Sequence, residues 1–291
     1  MTMNITIRPM TQTDVDRCGR ICFEAFTALA DRHNFLPDFP SPEFSVQLAT
    51  SFFANPKIYA IVADNENGDI VGSNYLWEYD SIRAIGPISI APNAQARGAG
   101  KQLMDAVMER GAGSDGIRLV QDAFNTASMS LYAKFGFDVK EPLVRIEGVV
   151  NGDVPAGIEV RPIRETDLAQ CADLCRKTHG IERMNELRNT PPFLTSFVAV
   201  RDGRVTAYAS APHFWALNHA VAESDADMQA VLTGAGHLSG GKPLSFLLPT
   251  RQTNLFRWCL NEGMRVIKPS TLMSTGRYEE PHGCFLPSVG Y

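Results

Sequence analysis

Apolar positions along the chain switch between a period of two and a period near 3.6, and the switches mark the elements. Ile5–Arg8 reads as a short strand, followed by Thr13 or Asp14 as a cap and an amphipathic helix. Ala30–Pro42, with His33, Phe35, Pro37, Phe39 and Pro40, has no period and reads as a loop before a second helix over Phe44–Phe53. Ile58–Ala63 and Ile70–Tyr79 flank Asn65-Glu66-Asn67-Gly68-Asp69, the pattern of a hairpin. Ile85–Ala91 predicts a strand ended by Pro92. Gly98–Gly111 predicts a helix with Leu103, Met104, Val107 and Met108 at helical spacing. A strand over Ile117–Asp122, a helix over Asn125–Phe135 stopped by Gly136, and a strand over Phe137–Glu147 complete an α/β order with a mixed sheet.

The first motif then returns. Ile7-Arg8-Pro9-Met10 is echoed by Val160-Arg161-Pro162-Ile163, Thr13-Asp14-Val15 by Thr166-Asp167-Leu168, and Cys18 and Cys22 by Cys171 and Cys175, each pair 153 positions apart. Two related domains in tandem are expected, at 1–148 and 158–291, joined by the turn-rich stretch Val149–Gly157. Later strands are expected at Phe197–Val200 and Arg204–Ser210 around Asp202-Gly203, at Ala216–Ala222 and at Pro243–Pro249. Helices are expected at Met228–Leu232, with Gly234-Ala235-Gly236 and Gly240-Gly241 at its C-terminal end, and at Gln252–Gly263.

Composition adds limits. Of 291 residues, 44% are hydrophobic and 20% charged, a globular balance. No apolar run approaches the roughly 20 residues that cross a bilayer, and Met1-Thr2-Met3-Asn4-Ile5 lacks the basic and apolar regions of a signal peptide. A cytoplasmic location with no membrane partner is expected. The formal net charge of −5, without a long Lys/Arg run, argues against nucleic acid. The six cysteines form no CxxC pair, so they read as small buried residues and no metal is expected.

The candidate chemistry lies in Ile88-Ser89-Ile90-Ala91-Pro92-Asn93-Ala94-Gln95-Ala96-Arg97-Gly98-Ala99-Gly100-Lys101. A strand runs into a glycine-containing turn that opens a helix. The free backbone N–H groups and the dipole of a helix start attract anions; Gly98 and Gly100 let a ligand approach the backbone, and Arg97 and Lys101 add charge. That is a cradle for a pyrophosphate. A Walker A loop needs Gly at Gln95 and Ser or Thr at Gln102, and a dinucleotide GxGxxG needs Gly at Leu103. A nucleotide-dependent kinase therefore fits poorly.

The segment resembles the central motif of the GNAT superfamily of N-acetyltransferases, Gln/Arg-x-x-Gly-x-Gly/Ala. Asn125 to Phe137 looks like its second motif, Asn-x-x-Ala-x-x-Leu-Tyr-x-x-x-Gly-Phe, departing only at Ser128. The resemblance covers about residues 4–147. It implies tandem GNAT-like domains, each a mixed, mostly antiparallel twisted sheet flanked by helices. It also implies direct transfer of an acetyl group from acetyl-CoA to a primary amine of a small molecule or peptide. Carried over by position, Gln95, Ala96, Arg97, Gly98, Ala99, Gly100 and Lys101 hold the pyrophosphate. Ile88, Ser89 and Ile90 pair with the pantetheine arm as with an added strand. Asn125 bonds that arm, Lys134 joins the cofactor set, and Tyr132 protonates the leaving thiolate. Glu78 is the first choice for a general base, ahead of Asp80, Glu24, Asp31 and His33. A non-catalytic acyl-CoA-binding or sensing protein is the alternative, and the chain is expected as a monomer or homodimer.

The second domain resembles a degenerate copy. Glu223-Ser224-Asp225-Ala226-Asp227 stands where the cradle would be, with three carboxylates and no glycine. Aligning Gly263 with Gly136 sets Gln252 at the place of Asn125 and Cys259 at that of Tyr132. One acetyl-CoA per chain is expected, with the second domain helping to wall the acceptor pocket.

Overall fold

The computed structural model describes residues 4–191 and 193–290; the first three residues of the segment read above for a signal peptide lie outside it. The chain forms two compact units. One is the chain up to Leu119 together with Phe124–Gly136; the other is Val120–Ala123 together with everything from Phe137 on.

The first unit carries strands β1 (Thr6–Pro9), β2 (Ile58–Asp64), β3 (Ile70–Trp77), β4 (Ile82–Ile85), β5 (Ser89–Ile90) and the first half of β6 (Gly116–Asp122). Its helices are α1 (Val15–Arg32), α2 (Pro42–Ala54), α3 (Ala99–Gly111) and α4 (Thr126–Lys134). The sheet runs β1-β2-β3-β4-β6, with β5 also on β3. All pairs are antiparallel except β4–β6. The β2–β3 turn is set by Asn65, whose Oδ1 accepts from the N–H groups of Asn67 and Asp69, both at 2.9 Å. On α3, Leu103, Met104 and Val107 are fully buried, each such burial stabilising by about 1.5–3 kcal/mol. Ser41 caps α2, accepting from the Phe44 N–H, and Pro42 follows at the first position. A Cβ at Gly19 of α1 would lie 2.5 Å from the Val46 Cα, so only glycine lets α1 and α2 approach this closely.

In the second unit, β7 (Asp138–Gly148) is followed by β8 (Ile158–Pro162), β9 (Phe197–Arg201), β10 (Arg204–Ala209), β11 (Ala220–Ala222), β12 (Leu244–Pro249), β13 (Arg265–Gly276) and β14 (Cys284–Leu286). Its helices are α5 (Leu168–His179), α6 (Met184–Arg188), α7 (Asp225–Leu238) and α8 (Thr253–Asn261). One sheet runs β14-β11-β10-β9-β8. The strand expected at Phe137–Glu147 is present as β7, but its neighbours are β12 on one edge and β13 on the other. The tail of β6 lies along β13, where the Ala123 N–H donates to Pro269 O, Gln121 Nε2 donates to Thr271 Oγ1, and Lys268 pairs with Asp122. The folded units part near Gly136, whereas the sequence pattern put the junction at 149–157.

The repeat is visible down to single bonds. Arg8 Nη1 meets Asp14 at 2.6 Å and Arg161 Nη1 meets Asp167 at 2.6 Å. The same carboxylates accept from the Thr11 and Arg164 N–H groups, each at 2.7 Å. Cys18, Cys22, Cys171 and Cys175 are all buried and unbridged, and burial pushes the thiols of Cys18, Cys22 and Cys171 up to about 12.

Two expected elements are corrected. Helix α7 does not end near Leu232 but takes in Gly234, Ala235 and Gly236. A Cβ on Gly234 would fall 2.4 Å from the Val160 Cβ, so the glycine serves close packing of α7 on β8. The strand expected from Ala216 begins only at Ala220, because Leu217 and Asn218 donate back to Phe214 O and close a turn. Among the described residues no helix is long and apolar enough to cross a membrane.

Candidate active site

The site is built on β3. Strand β4 pairs with β3 at Leu76↔Ile85 and Trp77↔Ala84, and in parallel with β6 from Ile82↔Gly116 to Ala84↔Arg118. The single strand expected over Ile85–Ala91 is broken after Ile85. Gly86 has φ 127°, where side chains are disfavoured, and its carbonyl accepts from the Trp77 indole N–H at 2.6 Å. Strand β5 then resumes on β3 at Ser73↔Ser89 and Gly72↔Ile90, and the Ala91 N–H donates to Val71 O. Among the described residues no strand pairs with the other edge of β5. An extended ligand with amide groups can add there as a strand would.

The turn beyond β5 is exposed from Gln95 to Gly98. Gln95 folds back to donate to Ile90 O at 3.2 Å. Ala96 has φ 61° and Gly98 φ 98°, so two left-handed residues flank Arg97. A non-glycine residue in that region costs on the order of 1–3 kcal/mol, and such strain gathers at ligand clamps. Gly98 is the N-cap of α3 and offers no side-chain cap; no acidic residue stands in the first turn. The first intrahelical bond runs from the Gln102 N–H to Gly98 O, so the preceding N–H groups have no carbonyl one turn back.

Gly98 answers to its left-handed backbone, but protein packing does not account for Gly100. A Cβ on Gly98 would meet nothing within 4 Å, and one on Gly100 nothing nearer than 3.9 Å. Gly100 is helical, where alanine is favoured by about 1 kcal/mol. Room kept against helix propensity, at a helix N-terminus, suits an anion. Of the two flanking cations, Arg97 is exposed, while Lys101 pairs with Asp105 at 2.8 Å and stands 5.9 Å from the centroid of the Phe135 ring.

Helix α4 brings the second motif alongside. Leu131 Cδ2 lies 3.9 Å from where a Gly100 Cβ would be. Asn125 caps α4, accepting from the Ser128 N–H at 3.2 Å through Oδ1, a bond that leaves its NH₂ group unused. Tyr132 is buried in α4, and Lys134 is exposed in its last turn.

Glu78 is not brought to this group. It follows β3 at the end where β4 closes onto β6, five residues beyond the partner of Ser89, or about 16 Å along an extended strand. Its two carboxylate oxygens meet Arg83 at 2.8 Å and Arg110 at 3.0 Å. Glu24 pairs with Arg17, and Asp31 is exposed. The loop after α1 instead gathers aromatic rings. Phe35 stacks on Phe124 at 4.4 Å, His33 lies 4.9 Å from the same ring, and Phe26 meets Phe39 edge-on at 5.5 Å. Phe124, immediately before Asn125, was legible only as an aromatic at a strand end.

Residues 25–137 match the model of the acetyltransferase (GNAT) family. Solved structures resemble most of the chain. A candidate acetyltransferase from Pyrococcus horikoshii is 19% identical with a TM-score of 0.74, over 95% of this chain and 91% of its own. A GCN5-related N-acetyltransferase from Sphaerobacter thermophilus is 12% identical at 0.63, over 95% and 96%. A tandem GNAT protein from the clavulanic acid biosynthesis pathway is 13% identical at 0.58, over 95% and 100%. These likenesses establish a tandem GNAT fold. No curated protein matches the sequence closely enough to count as a relative.

Proposed function

We propose that the first unit moves an acetyl group from acetyl-CoA directly to a primary amine of a small molecule or peptide. The observation that carries this reading is the uncapped start of α3, with Gly100 kept free of a side chain where packing would admit one. In this reading the backbone of Gln95–Lys101 holds the diphosphate, and the open edge of Ile88–Ile90 takes the pantetheine arm. The Asn125 amide bonds that arm, and Lys134 lies near the nucleotide end. The aromatic group of Phe26, Phe35, Phe39 and Phe124 lines the acceptor side.

The neutral amine nitrogen attacks the thioester carbonyl, the C–S bond breaks, and Tyr132 gives its phenolic proton to the departing sulfur; the proton shed by the nitrogen as the amide forms passes through water and restores the phenol. A phenol near 10 donating to a thiolate whose acid is near 8.5 faces a modest uphill step, about 2 kcal/mol, which positioning can offset. Glu78 is left out of the chemistry, since both its oxygens serve arginines.

The test is release of free thiol from acetyl-CoA with a panel of amines: a polyamine, an amino sugar, an amino acid and a peptide N-terminus. At least one amine is expected to raise release above the rate of hydrolysis. Tight acetyl-CoA binding with no amine accelerating release would favour a non-catalytic binding protein instead.

A further inference from the structure

The two units can be superposed strand by strand through their own hydrogen bonds. In the first, β3 pairs with β5 at Gly72↔Ile90, and the next N–H, from Ala91, donates to Val71 O. In the second, β10 pairs with β11 at Ala207↔Ala222, and the next N–H, from Glu223, donates to Thr206 O. Ala220, Val221 and Ala222 therefore hold the places of Ile88, Ser89 and Ile90. Asn125 at the head of α4 and Gln252 at the head of α8 share the same backbone bend, φ −83° and ψ 77° against φ −78° and ψ 67°.

The edge that β5 leaves open is filled in the second unit. Strand β14 pairs with those three equivalent residues, Ala220↔Leu286, Val221↔Phe285 and Ala222↔Cys284. Gln252, one methylene longer than Asn125, bonds the occupant on both sides: its Nε2 donates to Phe285 O, and its Oε1 accepts from the Phe285 N–H at 3.1 Å. At the head of α7, burial first, then the Asp225 carboxylate, pushes the Cys284 thiol up. Strand β14 thus begins where the diphosphate would lie and runs inward. Cys284, Phe285, Leu286 and Ser288 are all buried.

We propose that β14 is a tethered ligand: Cys284–Leu286 occupies the second unit's cofactor groove in place of a pantetheine arm. The groove keeps its specificity for an extended chain of amides, and the chain's own C-terminal strand satisfies it. The inference rests on reading Ile88–Ile90 as the pantetheine edge.

Hydrogen exchange of the full chain tests it. The Ala220 and Ala222 amides face β14 and are expected among the slowest, with protection unchanged by saturating coenzyme A. Leu286→Pro removes a donor to β11 and is expected to speed their exchange at least ~100-fold; a synthetic peptide of residues 283–290, added in excess, restores protection. Gln252→Ala, which leaves the ladder intact, is expected to speed it ~10-fold and serves if the proline variant fails to fold. Fast exchange in the wild type, loss of protection on adding coenzyme A, a folded proline variant that the peptide does not re-protect, or unchanged exchange in Gln252→Ala would overturn the proposal. Failure of the first unit to bind coenzyme A would defeat the acetyltransferase reading, while the exchange and peptide results would still stand.

Discussion

At the head of α3 stand Gly98, Ala99 and Gly100; at the head of α7 stand Ser224, Asp225 and Asp227. Both helices follow the last strand of an equivalent antiparallel set. In α7 the chain caps itself. Ser224 Oγ accepts from the Asp227 N–H at 3.2 Å, buried Asp227 pairs with Arg201, and Glu223 pairs with Arg204. The Arg204 bond holds the Glu223 carboxyl below its ordinary range. In α3 no side chain performs that task. A helix start that carries its own anions is finished, whereas one without cap or acid is left for an anion from outside. The same division holds at the neighbouring strands, where β11 is covered by β14 and β5 is not.

The largest expected effect breaks this comparison at α3. Gly100→Glu puts a carboxylate where a diphosphate is read to lie, giving the first unit the electrostatics of the second. Like charges about 4 Å apart repel by about 1 kcal/mol in water and several at a protein surface. Acetyl-CoA affinity is expected to fall at least ~100-fold by calorimetry in a folded protein. Gly100→Ala sharpens the point: it is expected to raise stability by up to about 1 kcal/mol yet weaken acetyl-CoA binding. Unchanged affinity in both variants would remove the cradle.

Next in size is Tyr132, whose counterpart at the aligned position is fully buried Cys259. Tyr132→Phe is expected to lower kcat by roughly 10²–10⁴ and leave acetyl-CoA affinity within about twofold, a change under 0.5 kcal/mol. Steady-state kinetics with the best amine from the panel would decide, and full turnover in the variant would reduce the phenol to packing.

The uncapped strand-to-helix turn was legible because it is local: glycine spacing and a strand-to-helix switch are written in consecutive residues. The repeat was legible for the same reason, since Arg8 and Asp14 recur in register as Arg161 and Asp167. What could not be read is tertiary. The apolar run over Ile85–Ala91 has a strand's pattern throughout, and the break at Gly86 is held by the indole of Trp77, nine residues away. Ala96 carries no sign of its left-handed backbone. The pattern over Phe137–Glu147 announces a strand but not that β12 and β13 flank it. Gly234 and Gly236 read as helix-ending because the partner that explains Gly234, Val160, is far off in sequence.

A smaller effect tests whether the shared ion pairs act alike. Hydrogen bonds from Arg8 hold the Asp14 carboxyl at about 2, with Thr11 assisting; Arg161 lowers Asp167 in the same direction. A folded-state value below the unfolded one gives stability that is fully present above about pH 4. It is lost as pH falls through about 2. Arg8→Met is expected to cost about 1–2 kcal/mol at pH 7, allowing for solvent screening at the arginine. Its Tm should then fall less than that of the wild type between pH 5 and 2. Arg161→Met should behave likewise, and parallel acid profiles for wild type and variants would show that the pairs do not carry the acid response.

The smallest effect is expected at Glu78, the carboxylate that spacing along the chain had favoured as the base. Its side chain is 16% exposed and lies between Arg83 and Arg110, the latter 54% exposed. A general base must reach the amine directly or through one water, and its loss typically costs 10²–10⁴ in rate. Glu78 lies at the closed end of β3–β4–β6, and the open edge begins beyond Gly86, so it has no such reach. Glu78→Gln keeps the shape and removes the charge from one half-exposed ion pair and one mostly covered one, a loss of about 1–2 kcal/mol in stability. With no role in proton removal, kcat should stay within ~3-fold, which is about 0.65 kcal/mol in the barrier, and the acidic limb of the kcat/KM profile should not move. A drop of 10² or more that erased that limb would make Glu78 the base, and would mean that the amine enters from the closed end of the sheet rather than past the aromatic loop.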